Sequence, residues 1–173
     1  MARPMIRKNG DIQKKLEENK FRRLLEALKG VEVHTIYYAD DPASDGWREV
    51  YRQYVKAERW ETLDCLKIPD SSASEQICAA LAEHDILLEG QTVLLVLSRA
   101  SGIMLAELLI WDVPQAADSL WHHEAYWWGG FYPYGFLLID PQRKLLFDAC
   151  SDSADEENYR VYTWDFSNDL NKE

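Results

Sequence analysis

Past Ile86 the chain reads as one strand after another, and before it helix-type periods dominate. Thr92 to Ser98 is a continuous apolar run of the length of a buried strand. Arg99-Ala100-Ser101-Gly102 reads as a turn and Ile103 to Val113 as a second strand, although its Met, Leu, Ala and Glu also suit a helix. Pro114 stops that run in either conformation. Gly135–Asp140 and Lys144–Cys150, joined by Pro141-Gln142-Arg143, have the pattern of a hairpin, and Asn158 to Phe166 alternates as a last strand. The tail from Ser167 to Glu173 is polar and expected to fray.

The N-terminal half is built differently. Asp11 to Lys29 spaces Ile12, Leu16, Phe21, Leu24, Leu25 and Leu28 three or four residues apart, so it reads as an amphipathic helix. Asn9 or Asp11 can cap its start, and Gly30 is placed to end it. Val31 to Tyr38 is rich in β-branched and aromatic residues and reads as a strand. Trp47 to Trp60 predicts a helix with Trp47, Val50, Tyr51, Tyr54 and Val55 on its apolar face and Arg48, Glu49, Arg52 and Lys56 mostly outside, although Trp60 to Leu63 equally suits the start of a strand. A short helix carrying Ile77, Cys78 and Leu81 follows Pro69. Helices first and strands later predict a single α+β domain over residues 1–173. Its N-terminal helices pack on one face of a mostly antiparallel sheet formed largely by the C-terminal half.

Charge narrows the partners. The formal net charge is −11, but residues 1–30 carry nine Lys and Arg against four acids, so the rest of the chain is strongly acidic. An acidic body repels nucleic acid and attracts basic macromolecules. No apolar run reaches membrane-spanning length, and Met1 to Lys8 leads into no apolar segment of signal type. Three widely spaced cysteines (Cys65, Cys78, Cys150) form neither a disulfide framework nor a zinc pattern, which points to a reducing cytoplasm.

The densest feature is aromatic. Eight of the sixteen residues from Trp121 to Phe136 are aromatic, bent by Gly129-Gly130 and Pro133, with His122 and His123 beside them. The segment contains no Lys or Arg, which argues against stacked nucleic-acid bases there. His122-His123-Glu124 lacks the i, i+4 spacing of a helical metal pair, and the acidic loop Asp40-Asp41-Pro42-Ala43-Ser44-Asp45 lacks the spacing and the closing Glu of a calcium loop. No metal or cofactor is expected. No G-x-S-x-G, G-x-G-x-x-G or P-loop is present.

Three readings of function fit these residues. A small acidic α+β chain without a catalytic signature is similar in class to bacterial immunity proteins, which neutralise a cognate, often basic, toxin domain. That analogy implies a protein-binding inhibitor rather than an enzyme. Its expected contacts are Asp40, Asp41, Asp45, His122, His123, Trp127, Trp128, Tyr132, Asp152, Asp155, Glu156 and Glu157, because aromatic anchors with acidic rims suit a basic partner. The alternative is a small hydrolase or transferase using Cys150 or the His122/His123 pair in an aromatic pocket. A third reading has the basic helix 11–29 dock the chain into an assembly.

Overall fold

Strands β1 (Val31–Tyr37), β2 (Asp64–Pro69), β3 (Thr92–Arg99), β4 (Gly102–Ile110), β5 (Gly135–Asp140), β6 (Leu145–Ser151) and β7 (Asn158–Asp165) form one seven-stranded sheet in a computed structural model of the chain. The structure describes residues 5–56, 64–69, 74–99, 101–121, 135–151 and 158–168. The strand order is β1-β4-β3-β5-β6-β7-β2, and every neighbouring pair is antiparallel. Five of the seven strands come from the C-terminal half, as the sequence pattern requires. The two early strands, β1 and β2, close the sheet at opposite edges.

Among the described residues four α-helices accompany the sheet: α1 (Met5–Ala27), α2 (Asp45–Lys56), α3 (Ser74–Glu83) and α4 (Val113–Trp121). Alternation along the strands separates two cores. On the first face Val93, Leu95, Leu97, Met104, Ala106, Leu108, Phe136, Leu138 and Phe147 pack with Phe21 and Leu25 of α1, Leu81 of α3 and Ala117, Leu120 and Trp121 of α4. On the second face Leu94, Val96, Leu105, Leu137, Ile139, Leu146 and Phe166 pack with Val50 and Tyr54 of α2. The α+β class and antiparallel sheet are those read from the sequence. The placement of helices on one face holds for α1, α3 and α4, whereas α2 lies on the other. The reason is visible in the central strand β5, which is buried at every position. A strand apolar on both sides needs cover on both sides.

Helix α4 was not expected. Pro114, read as a stop, lies in its first turn, where a missing N–H costs no hydrogen bond. Asp112 caps the helix: its Oδ1 accepts from the Gln115 backbone N–H at 2.9 Å, and Gln115 Nε2 returns a bond to Oδ2 at 2.8 Å. The sequence Asp112-Val113-Pro114-Gln115 therefore has the spacing of a capping box. Gly30 fixes how α1 gives way to β1 beneath this helix. Its φ is +71°, and a Cβ there would stand 2.5 Å from the Ala116 nitrogen and the Asp112 carbonyl oxygen. Strand β2 ends at Pro69, which is tolerated because β2 is an edge strand.

Candidate protein-binding surface

Helix α2 packs on the second face through Val50 and Tyr54, and among the described residues that face carries exposed side chains on β1 and just past β4. Pleat parity puts Glu107 and Leu109 opposite in direction to the buried Leu108 and Ile110. The ladder continues one residue past β4, because the Trp111 N–H donates to the Gly30 carbonyl at 3.0 Å. Trp111 thus follows Leu109 on the same side, and it is 52% exposed. Glu32 stands directly opposite Leu109 on β1.

A bulge shapes this rim. The register between β1 and β4 shifts between Val33 and Thr35, leaving His34 as the extra residue. Its Nδ1 lies 3.7 Å from Glu107 Oε1 and its Nε2 3.7 Å from Glu32 Oε1. The imidazole therefore sits between two carboxylates that are 32% and 67% exposed. An exposed indole on the same side of the sheet as two partly exposed carboxylates supplies groups of the kind that take up arginine or lysine side chains, by cation–π contact and charge-assisted hydrogen bonds. In the sequence His34 belongs to the Val31–Tyr38 strand pattern and Glu107 to the Ile103–Val113 run. Only the pairing of β1 with β4 brings the two together, and nothing local marked Trp111.

Beneath α2 the same face is polar but closed. Arg48, expected outside, is 3% exposed. Its Nε donates to the Ile103 carbonyl at 3.1 Å, its Nη1 to Asp45 Oδ1 at 2.6 Å, and its Nη2 to the Tyr38 carbonyl. Val55, expected in the apolar stripe, faces solvent instead. Tyr54 Oη donates to the buried Asp148 at 2.7 Å, and its ring leans on Trp164 at 5.9 Å. Burial pushes the Tyr51 hydroxyl pKa up and the Asp148 charge adds to the rise, while the hydrogen bond with Ser98 acts against them. These bonds hold α2 on the sheet and so set the boundary of the open surface.

The acidic loop expected to touch a partner is engaged with the chain itself. Asp40 binds Lys14 Nζ of α1 at 2.6 Å, and that bond draws the Asp40 carboxyl pKa down. Asp41 accepts from the Ala43 N–H at 2.9 Å and caps the 3₁₀ turn Pro42–Ser44, while Asp45 holds Arg48. Asp40 and Asp45 nevertheless keep exposed side chains. His122, His123, Trp127, Trp128, Tyr132, Asp152, Asp155, Glu156 and Glu157 lie outside the described residues. The two ends of the aromatic segment are core: Trp121 and Phe136 are buried and meet edge to face, centroids 6.4 Å apart. Cys150 lies in β6, paired in register with Gly135 and Arg160.

Among the described residues no helix is long and apolar enough to cross a membrane, and no group of three or more His, Cys, Asp or Glu is placed to hold a metal ion. The fold and the site define an α+β protein with an open, acidic and aromatic sheet face. Compared with known protein families, curated proteins and solved structures, the chain matches none.

Proposed function

We propose that this chain is a protein-binding protein of the inhibitor type, which neutralises a basic partner such as a toxin domain by covering it with the acidic sheet face. The observation that carries the reading is the exposed Trp111 on the same side of the sheet as Glu32 and Glu107, whose carboxylates flank His34. An indole anchor with a carboxylate rim suits a cationic side chain at its centre and steers a basic surface toward it. The net charge of −11 extends that steering over the whole molecule. Asp152, Asp155, Glu156 and Glu157 add to the long-range attraction, and His122, His123, Trp127, Trp128 and Tyr132 remain proposed contacts. The cysteine pattern suits a cytoplasmic setting for this activity.

The test is capture from the native cell lysate at low and then high salt, run with the natural chain, with Trp111→Ser and with Glu32→Lys/Glu107→Lys. The expected result is a stoichiometric basic protein that the natural chain holds at low salt and releases at high salt, and that both variants fail to hold while keeping natural circular dichroism. Equal capture by all three chains, or a natural chain that emerges alone, overturns the reading.

A further inference from the structure

Helix α1 has two working sides, and only one of them is spent on the fold. Phe21 and Leu25 are buried in the first core, and Leu24 and Leu28 pack against it. Toward its N-terminal end the helix is held by polar ties. Lys14 binds Asp40, and Glu17 accepts from the backbone N–H and the hydroxyl of Ser101 in the β3–β4 turn. The opposite side carries Ile12 and Leu16, 57% and 50% exposed, one helical turn apart. Lys15, Lys20 and Arg23, all exposed, surround them.

We infer that this outer face of α1 docks onto the open acidic sheet face of a second copy of the chain. Three observations select that occupant. The charges are complementary, with Lys15, Lys20 and Arg23 on one surface and Glu32 and Glu107 on the other. The apolar spacings match: Ile12 and Leu16 are about 6 Å apart along a helix, and Leu109 and Trp111 are about 6.8 Å apart along a strand. A helix laid along the end of β4 therefore sets one aliphatic side chain over each. The chemistry also operates already within one molecule, where the inner cation Lys14 binds the body's Asp40 at 2.6 Å.

Lipid and nucleic acid fit less well. The described outer face of α1 has no aromatic residue to sit at a membrane interface or to stack on a base. Because α1 covers the first face of the sheet and the acidic surface belongs to the second, one molecule cannot close the contact on itself. The contact is head-to-tail, so association builds rings or open chains of copies rather than a two-fold dimer. An external basic partner, in the function proposed above, then competes with α1 of a neighbouring copy for the same face.

The experiment is sedimentation velocity of the full chain over a concentration series at low and high salt. The natural chain is expected to self-associate at low salt and to become monomeric at high salt. Ile12→Glu/Leu16→Glu, Lys15→Glu/Arg23→Glu and Glu32→Lys/Glu107→Lys, each alone, are expected to associate about tenfold or more weakly. An equimolar mixture of Lys15→Glu/Arg23→Glu with Glu32→Lys/Glu107→Lys is expected to regain association, since each basic surface again meets an acidic one. A natural chain that stays monomeric at low salt, variants that associate as it does, or a mixture that fails to recover overturns the inference. So does a monomer that binds anionic phosphatidylserine vesicles through Ile12 and Leu16, which assigns the helix to a membrane. Lys15→Glu/Arg23→Glu leaves the acidic face intact, so capture of a basic partner by this variant separates failure of self-association from failure of the proposed function.

Discussion

The two faces of the sheet are built to different ends. On the first, three helices seal an apolar layer in which Phe21, Leu108, Leu120 and Leu138 are fully buried. On the second, among the described residues, helix α2 packs on a core interrupted by Arg48, Tyr54 and Asp148, while Trp111 stands exposed. Apolar burial is non-directional and contributes most of the stability of a domain. Buried polar groups cost desolvation and are tolerated only when their bonds are met, and in return they fix one geometry. The first face therefore holds the molecule together, and the second positions α2 and leaves a surface open beside it.

Substitutions can break this contrast, beginning where the effect is largest. Leu138→Ala opens a cavity in the sealed layer and is expected to cost about 3–5 kcal/mol in urea unfolding. Arg48→Met keeps most of the side chain's bulk but strands the Tyr38 and Ile103 carbonyls, with an expected loss of about 2–3 kcal/mol. A similar loss from a substitution at an exposed arginine such as Arg52 would remove the distinction drawn for Arg48. Tyr54→Phe deletes one donor to Asp148 and is expected to cost about 1–2 kcal/mol. A double-mutant cycle with Asp148→Asn should show the two residues coupled rather than additive.

The β5–β6 turn sharpens the comparison by its dependence on pH. Asp140 is buried, and its Oδ1 accepts from the backbone N–H groups of Gln142 and Arg143, both at 2.9 Å. Its Oδ2 accepts from Arg143 Nε at 2.6 Å and from Gln91 Nε2 at 2.8 Å. Burial pushes this carboxyl pKa up, but the bonds from Arg143 and Gln91 outweigh it and bring it below the ordinary value. The stability it contributes is therefore full above the unfolded carboxylate pKa and is lost as pH falls through the lower folded value. Asp140→Asn is expected to cost about 1 kcal/mol near neutral pH and to flatten the acid limb of stability against pH. An unchanged acid limb would show that other carboxylates set it. Smallest of all, Trp111→Ser is expected to shift unfolding by less than about 0.5 kcal/mol. A larger loss would mean that Trp111 belongs to the core and not to a binding surface.

Much of this fold was readable in the residues. The strands from Thr92 onward announce themselves as apolar or alternating runs between turn residues, and the period of α1 is plain in Phe21, Leu24, Leu25 and Leu28. Two misreadings are instructive. Pro114 reads as the stop of the strand-type run before it and as part of a helix's first turn once Asp112 and Gln115 are seen as a capping pair. Arg48 reads as a surface cation because charge is assumed to seek water, whereas two carbonyls and Asp45 receive it inside.

The candidate surface was much less legible. The pair Glu32 and His34 lies far along the chain from the pair Glu107 and Trp111, and no local pattern links the two pairs. The sequence by itself determined the class of fold, the basic helix and the acidic body, because propensity, periodicity and charge are properties of neighbours along the chain. Only the tertiary structure decided that β1 pairs with β4 and that α2 crosses to the second face, and so which acids share an open rim with a tryptophan. Strand order and sheet face depend on contacts between distant segments, whose energies arise only once the chain has closed on itself.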